Sequence, residues 1–362
     1  MKSICLMLIC LLLAESGQDI DTPEEIPYKG NFAKEFTLGK PKEYKNLKIY
    51  PVYADFKKLD FVFMNKAIEK KQIQIEEVSS GGSVNTLKLS KQVTKDQIFI
   101  MSGEIVQGAK QDRVIAYDLI FGGKDGTYST NAYCVEHGRW TYKSQQFSDA
   151  KMVGASNIRQ FASRSASPTG SNQNAIWNEV SMKNKDLGSS NESDAYKESY
   201  SSKKFKESSE EYLKVFASMP QDDKRMIGMI VFIDDKGLVI DVFNSNNMLI
   251  NYYDKLLNSY IQDAIHPSAL ANNKKIDDPK EFLNALNGES SKQVKLPGIG
   301  RVFTLENTSI SGFVTFLNSD FVHASIFARK DIKNVPEKNN RQRQINIPNN
   351  TQQNQQYSPE QD

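Results

Sequence analysis

Two short stretches combine carboxylates, permanent cations and glycines within segments that otherwise have the pattern of β-strands. They are residues 103–113, with the sequence GEIVQGAKQDR, and residues 134–140, with the sequence CVEHGRW. A charge inside a strand is costly unless it faces water, forms an ion pair or contacts a ligand. The two charged stretches are therefore the candidate functional site.

Glu104 and Glu136 are the candidate catalytic residues. Two carboxylates can divide the acid and base roles in glycoside or phosphodiester hydrolysis when their environments separate their pKa values. They could also bind a divalent cation, together with Asp112 and His137. The third interpretation is that each carboxylate pairs with a nearby cation and only stabilises the sheet.

The candidate ligand-binding residues come from the same stretches and from one helix further along the chain. They are Lys110, Gln111, Arg113, Arg139, Trp140 and Gln173. Arginine can bind phosphate or carboxylate through two parallel hydrogen bonds, whereas lysine acts more as a point charge. A tryptophan can stack on a sugar or a base, although a large aromatic residue at a strand end is more often part of the core.

Other kinds of catalytic site have little support. Cys134 has apolar neighbours, which favours a small buried residue over a reactive thiol. The 3 histidines are scattered and form no zinc pattern. No Gly-x-Ser-x-Gly nucleophile motif is present. The sequence specifies no metal and no cofactor.

The charge balance limits the class of partner. Among 362 residues, 46 basic and 44 acidic side chains give a net charge of +2. Proteins that bind nucleic acid or anionic membranes usually carry a basic surplus. We therefore expect a small-molecule ligand and no nucleic acid.

Residues 1–16 have the pattern of an export signal. A short positive region precedes an apolar run, and small residues stand before Gly17. The apolar run is too short to span a bilayer comfortably. A lipoprotein anchor at Cys10 is disfavoured, because Ile9 stands where a small residue is usual. We expect a secreted or periplasmic protein with no stable membrane span.

Strands are the main elements that must position the candidate residues. Alternating apolar residues predict strands around both charged stretches. Residues 226–243 predict a β-hairpin, residues 247–265 an amphipathic helix and residues 300–327 a β-meander. The fold class expected is α+β, a mainly antiparallel β assembly with several helices that closes in a C-terminal β-meander.

Composition suggests where the folded domain begins and ends. Residues 17–40 are expected to be a flexible leader, and residues 41–330 a single domain. Residues 184–209 are rich in Ser and Lys and predict a mobile insertion, since they bury too little apolar area to offset the entropy of ordering. Residues 331–362 are rich in Asn and Gln and predict a disordered tail.

The order of these motifs resembles one known family. The chain is similar, over about residues 44–330, to the domain named for its association with ADP-ribosylglycohydrolases (ARG) and rhodanese-type phosphatases. The likeness is densest in the two charged stretches and continues at residues 177–180 and 241–243. The resemblance implies no particular reaction, and the association suggests metabolism of ADP-ribose or related phosphate compounds.

Three functions remain open. The favoured one is a binding module that recognises an anionic or glycosyl small molecule through Lys110, Arg113 and Arg139. The second is a hydrolase of ADP-ribose-like or other phosphate and glycosyl compounds, with Glu104 or Glu136 as acid or base. The third is a structural or surface-interaction protein. The first two require these side chains to share one accessible site.

Overall fold

The computed structural model describes residues 31–83, 85–164, 171–189, 192–287 and 291–331. The predicted export signal, the first part of the predicted leader and the predicted tail beyond residue 331 lie outside these residues. None of the described helices combines the length and the apolar character needed to cross a bilayer.

Strands make up most of the regular structure. They are β1 (Thr37–Leu38), β2 (Lys42–Tyr44), β3 (Leu47–Tyr53), β4 (Val62–Phe63), β5 (Ile73–Glu77), β6 (Thr86–Lys91), β7 (Ile98–Ile100), β8 (Glu104–Gly108), β9 (Arg113–Ile115), β10 (Leu119–Phe121), β11 (Gly126–Cys134), β12 (Phe147–Val153), β13 (Met226–Ile233), β14 (Lys236–Phe243), β15 (Ser291–Val294), β16 (Gly300–Glu306), β17 (Ile310–Leu317) and β18 (Asp320–Ala328).

Most of the α-helices lie in the part of the chain between Val153 and Met226. They are α1 (Met64–Glu69), α2 (Ser156–Ala162), α3 (Ser171–Leu187), α4 (Lys197–Ser201), α5 (Lys203–Phe216), α6 (Met219–Asp222), α7 (Asn246–Ile265) and α8 (Pro279–Asn284), with 3₁₀ turns at Phe32–Glu35, Pro267–Leu270 and Ala285–Asn287. In the described part of the chain only β4 and β7 pair in parallel. The predicted α+β class is confirmed.

The largest sheet has nine strands in the order β1-β3-β13-β14-β18-β17-β16-β15, with β2 also paired to β3. Strands β13 and β14 form the predicted hairpin, whose turn holds Asp234 and Asp235 at positive φ. Aspartate tolerates this left-handed conformation, which suits a tight hairpin turn. Strands β15 to β18 form the predicted meander.

Helix α7 covers one face of this large sheet. Ser245 caps its first turn by accepting a hydrogen bond from the Met248 backbone N–H. Apolar and aromatic residues such as Leu249, Leu256 and Tyr260 repeat at helical spacing and are fully buried. The helix also contacts β12, so it links the large sheet to a second sheet.

The second sheet has six strands in the order β12-β8-β9-β11-β6-β5. A β-bridge between Glu76 and Gln146 joins its two edges, so the sheet curls around until the edge strands meet. Every strand contributes buried apolar side chains to the interior, among them Ile75, Leu89, Val106, Ile115, Ala132 and Phe147. The interior is therefore a packed core.

Strand β8 defines the two ends of the curled six-stranded sheet. At one end Glu104 pairs with Val153, and at the other Gly108 pairs with Phe147. Four residues at a rise of about 3.3 Å each separate these ends by about 13 Å along the strand. We refer to them as the Glu104 end and the Gly108 end.

The Ser/Lys-rich stretch at residues 184–209, which the sequence predicts to be a mobile insertion, contains regular secondary structure. Its described residues include the end of α3, all of α4 and the start of α5. Tyr196 and Ser199 are fully buried, and Phe205 is almost so. The polar average of the stretch conceals these few residues, each of which packs against a neighbouring element.

The described part of the predicted leader also contacts the domain. Residues 31–40 include the first 3₁₀ turn and β1. Ala33 and Phe36 are buried in an apolar cluster with the large sheet. Regular packing therefore begins before residue 41.

Candidate functional site

The Gly108 end of the six-stranded sheet gathers most of the predicted site residues. Strand β5 ends there, β9 begins there and β11 ends there at Cys134. The loop that follows β11 returns across the same end. We use the term charged cluster for eight side chains at this end, namely Glu77, Lys110, Asp112, Arg113, Glu136, Arg139, Lys143 and Lys197.

Arg139 lies at the centre of the charged cluster. Its Nε and Nη2 donate to Glu136 at 2.9 and 2.6 Å. Its Nη1 donates to the carbonyls of Ala109 and Thr141, each at 2.7 Å, and Nη2 also reaches the Gly108 carbonyl at 3.2 Å. These contacts use all five guanidinium N–H groups. Arg139 therefore holds two loops together and has no donor left for a ligand.

Glu136 is completely buried beside this guanidinium. It also accepts a hydrogen bond from the Asp112 backbone N–H at 3.1 Å. Burial favours the neutral carboxyl, but the hydrogen bonds from Arg139 and Asp112 outweigh it and lower the Glu136 pKa. A general acid needs the opposite shift. The environment of Glu136 therefore favours the ionised form, as expected for a structural ion-pair partner.

Arg113 is also enclosed. Its side chain is fully buried and donates to Gln111 Oε1 at 3.1 Å, to Glu77 at 3.3 Å and to the Ser83 carbonyl at 3.2 Å. The guanidinium also contacts the sulfur of Cys134. These contacts join strand ends to one another, and they occupy Gln111 Oε1 and both terminal nitrogens of Arg113.

Lys110 and Trp140 form the outer part of this arrangement. The Lys110 Nζ donates to the Gly81 carbonyl at 2.8 Å. It lies 5.3 Å from the ring centroid of Trp140 and 5.2 Å from that of Tyr142, within cation–π range. Trp140 is half-buried and Tyr142 is exposed, so two aromatic faces border this corner of the surface.

Gln173 reaches the Gly108 end from helix α3. Its amide accepts from the Cys134 backbone N–H and donates to the Cys134 carbonyl, both at 2.9 Å. The side chain thus completes the hydrogen bonding of a strand end. Cys134 is buried, as predicted, and burial raises the pKa of its thiol to about 12.

Glu104 lies at the opposite end of the six-stranded sheet. It accepts hydrogen bonds from Lys255 Nζ at 2.8 Å and from the Met101 backbone N–H at 3.0 Å. Asp149 shares the same lysine at 3.2 Å. Burial raises the Glu104 pKa, and the charge of Asp149 adds to the shift. With the two ends about 13 Å apart, Glu104 and Glu136 do not flank one bond as two-carboxylate hydrolysis requires.

Two lysines of the charged cluster were not predicted from the sequence. Lys143 Nζ lies 3.8 Å from Glu136, and its side chain is 52% exposed. Lys197 Nζ lies 2.9 Å from Asp112, and its side chain is 24% exposed. A bridge between Glu136 and Ala195 brings the start of α4 to this end. Lys143 stood close to the second charged stretch, whereas nothing in the sequence connected Lys197 with it.

The charged cluster carries more positive than negative charge. Five cations stand against three carboxylates, which leaves a surplus of two positive charges. The arginines are buried and paired, so the accessible positive charge is on the two lysines at the rim. Among the described residues, no group of three or more His, Cys, Asp or Glu side chains could hold a metal ion.

A second polar network lies in the core beside α2 and β18. His323 Nδ1 lies 2.8 Å from Asp118, and its Nε2 lies 3.3 Å from Ser325 Oγ. This order of groups matches a Ser-His-Asp triad. However, all three side chains are almost wholly buried, and Ser325 donates to Asp241, which also pairs with Arg159. The burial of these groups indicates a polar network within the core.

The fold and the site define an α+β protein with a positively charged rim at one end of a curled antiparallel sheet. The family model described as the ARG and Rhodanese-Phosphatase-superfamily-associated Protein domain matches residues 35–327. The chain belongs to this family, and the resemblance drawn from its motifs is confirmed. No curated protein and no solved structure matches the chain.

Proposed function

We propose that the protein binds an anionic small molecule at the Gly108 end of the six-stranded sheet. Lys143 and Lys197 are the residues that meet the ligand. The surplus of two positive charges, located at the exposed rim, is the observation that carries this proposal. The proposal retains the anionic ligand that the sequence suggested. It assigns the ligand contacts to these lysines instead of the arginines.

The hydrogen bonds of the cluster support this change of residues. All N–H groups of Arg139 donate to Glu136 or to backbone carbonyls, and Arg113 is fully buried. By contrast, the Lys143 side chain is half exposed, and the 3.8 Å separation of its Nζ from Glu136 is longer than a hydrogen bond. Each ammonium has three N–H groups, so an incoming anion shares the lysine with its buried carboxylate and need not displace that contact.

The hydrolase alternative has less support from the same geometry. Glu136 is ionised and held by Arg139, which leaves it poorly suited to donate a proton. Glu104 has the raised pKa of an acid, but it is buried against Lys255 at the other end of the sheet. In the proposed binding function, the arginines and the buried carboxylates position the two rim lysines.

The family association guides the choice of first ligands. The family is named for an association with ARG and with the rhodanese-phosphatase superfamily. We therefore propose ADP-ribose and related phosphate compounds as the first candidates, each tested by the thermal unfolding of the purified protein. A ligand that binds only the folded state stabilises it by about 2.7 kcal/mol at a concentration of one hundred times Kd.

Matched variants identify the residues responsible. The double variant Lys143→Ala/Lys197→Ala should lose the ligand-induced rise in Tm. A control with Lys66→Ala and Lys203→Ala removes the same charge from two exposed lysines, at 60% and 86% exposure, that pair with glutamates elsewhere. Loss of stabilisation in both double variants alike would show a general charge effect and would refute the proposed site.

A further inference from the structure

Most of the unused hydrogen-bonding capacity of the rim consists of donors, and Asp112 Oδ2 is the exception. Each lysine ammonium carries three N–H groups. Lys143 lies too far from Glu136 for a hydrogen bond, and the Lys197 contact leaves Asp112 Oδ2 without one within the described residues. The rim therefore offers ammonium donors that the rest of the described protein does not satisfy.

Trp177 adds a further donor close by. Its indole Nε1 is buried and has no hydrogen-bond partner among the described residues. The ring centroid lies 4.4 Å from that of His137, which follows Glu136 in the chain. An indole N–H can only donate. Trp177 Nε1 is therefore a donor without an acceptor among the described residues, on a ring that contacts the residue after Glu136.

The carboxylates of the charged cluster have few free acceptor positions. Glu136 already accepts from Arg139 and from the Asp112 backbone, and Glu77 accepts from Arg113 and from the Lys110 backbone. A sugar hydroxyl needs an acceptor for its own proton, and Asp112 Oδ2, 2.9 Å from the Lys197 ammonium, is the one carboxylate oxygen of the cluster without a hydrogen bond among the described residues. A phosphate monoester brings three acceptor oxygens and a charge of roughly −1.5 to −2, which matches the surplus.

We propose that the site recognises a phosphate- or sulfate-type oxyanion, and that this group, rather than a sugar hydroxyl or a carboxylate, provides the affinity. The proposal rests on the proposed function and narrows its ligand class. It assigns Lys143 and Lys197 as the contacts to the oxyanion and Trp177 as a neighbouring neutral donor. Arg113 and Arg139 remain internal.

Four probes test the ligand class with the full-length protein. Calorimetric titrations with ribose 5-phosphate, inorganic phosphate, ribose and succinate are compared at constant ionic strength. We expect the two phosphates to bind, ribose to give no heat, and the dicarboxylate to bind at least about tenfold more weakly than ribose 5-phosphate, a difference of about 1.4 kcal/mol.

The outcomes separate the two proposals. Succinate that binds as tightly as ribose 5-phosphate would overturn the oxyanion inference and leave anion binding intact. Ribose that binds as tightly as its phosphate would overturn both, because affinity would then come from the sugar. Absence of binding by all four probes would also overturn both.

Conservative variants test the assigned residues. Lys143→Arg should retain binding of ribose 5-phosphate, whereas Lys143→Ala and Lys197→Ala should each weaken it at least several-fold. Trp177→Phe keeps the ring and removes the N–H, so it should weaken binding with little change in Tm. A lower Tm with unchanged affinity would show that Trp177 is only a packing residue and would remove it from the site.

Discussion

Replacement of Arg139 by alanine should be among the most destabilising changes at the Gly108 end. The side chain is 9% exposed, and Glu136 beneath it is fully buried. Without the guanidinium, Glu136 keeps the Asp112 backbone N–H at 3.1 Å and the distant ammonium of Lys143 at 3.8 Å. The carbonyls of Ala109 and Thr141 also lose their 2.7 Å hydrogen bonds.

The expected loss of stability follows from these contacts. Removing one partner of a buried ion pair costs about 3–5 kcal/mol, because the other charge stays buried without compensation. At roughly 2–4 °C per kcal/mol for a large domain, Tm should fall by about 6–20 °C. Arg139→Lys retains a positive charge near Glu136 but loses the planar set of donors, so its loss should be intermediate.

Urea unfolding followed by tryptophan fluorescence measures the effect. The chain has 2 tryptophans, Trp140 and Trp177, and both border the charged cluster. The control is Arg225→Ala, which breaks an exposed arginine–aspartate pair at 2.8 Å. The control variant should lose much less stability, because water already solvates both side chains of this exposed pair.

A specific result would refute this reasoning. If Arg139→Ala and Arg225→Ala shift the urea midpoint equally, the Glu136–Arg139 pair is not a buried structural contact. The arginine would then be free to contact a ligand, as the sequence first suggested. In that case the variant should instead abolish ribose 5-phosphate binding without changing the free energy of unfolding.

Three other changes test separate parts of the structure. Burial raises the Glu104 pKa above its ordinary value of 4.5. The stability that Glu104 contributes is therefore present in acid and is lost as pH rises through the pKa of the folded state. Glu104→Gln should remove this pH dependence of urea unfolding and leave stability in acid nearly unchanged. Burial raises the Cys134 pKa to about 12, so thiol reagents should label Cys134 only after unfolding, and fast native labelling would contradict the buried position. In Gly138→Ala a Cβ would lie 2.3 Å from the Glu192 carbonyl, so the loop must shift; we expect a loss of about 1–3 kcal/mol in urea unfolding, and an unchanged midpoint would contradict the close packing.

Most of the secondary structure could be predicted because its signals are local. The β13–β14 hairpin combines two apolar runs with a turn of Asp, Asp, Lys and Gly. Helix α7 repeats apolar residues along one face over its whole length. The Ser/Lys-rich stretch illustrates the converse, since Tyr196 and Phe205 are buried by contacts with other elements that a local average of composition cannot detect.

The sequence indicated which charged segments to consider together, but not which of their side chains face solvent. The two charged stretches do meet at the Gly108 end, because strand pairing places Arg113 opposite Cys134. The same pairing carries Glu104 to the other end of β8. Lys197 enters the cluster only because the segment before α4 bridges to Glu136.

From the sequence alone follow the family, the α+β class and the two stretches that carry the charges, since these depend on residue types and local spacing. Only the tertiary structure decides which charges are buried in pairs and which face solvent. Arg139 and Lys143 are close in sequence and both cationic, yet one is 9% and the other 52% exposed. Exposure depends on which distant segments cover a side chain, and strand pairing and helix packing determine that cover.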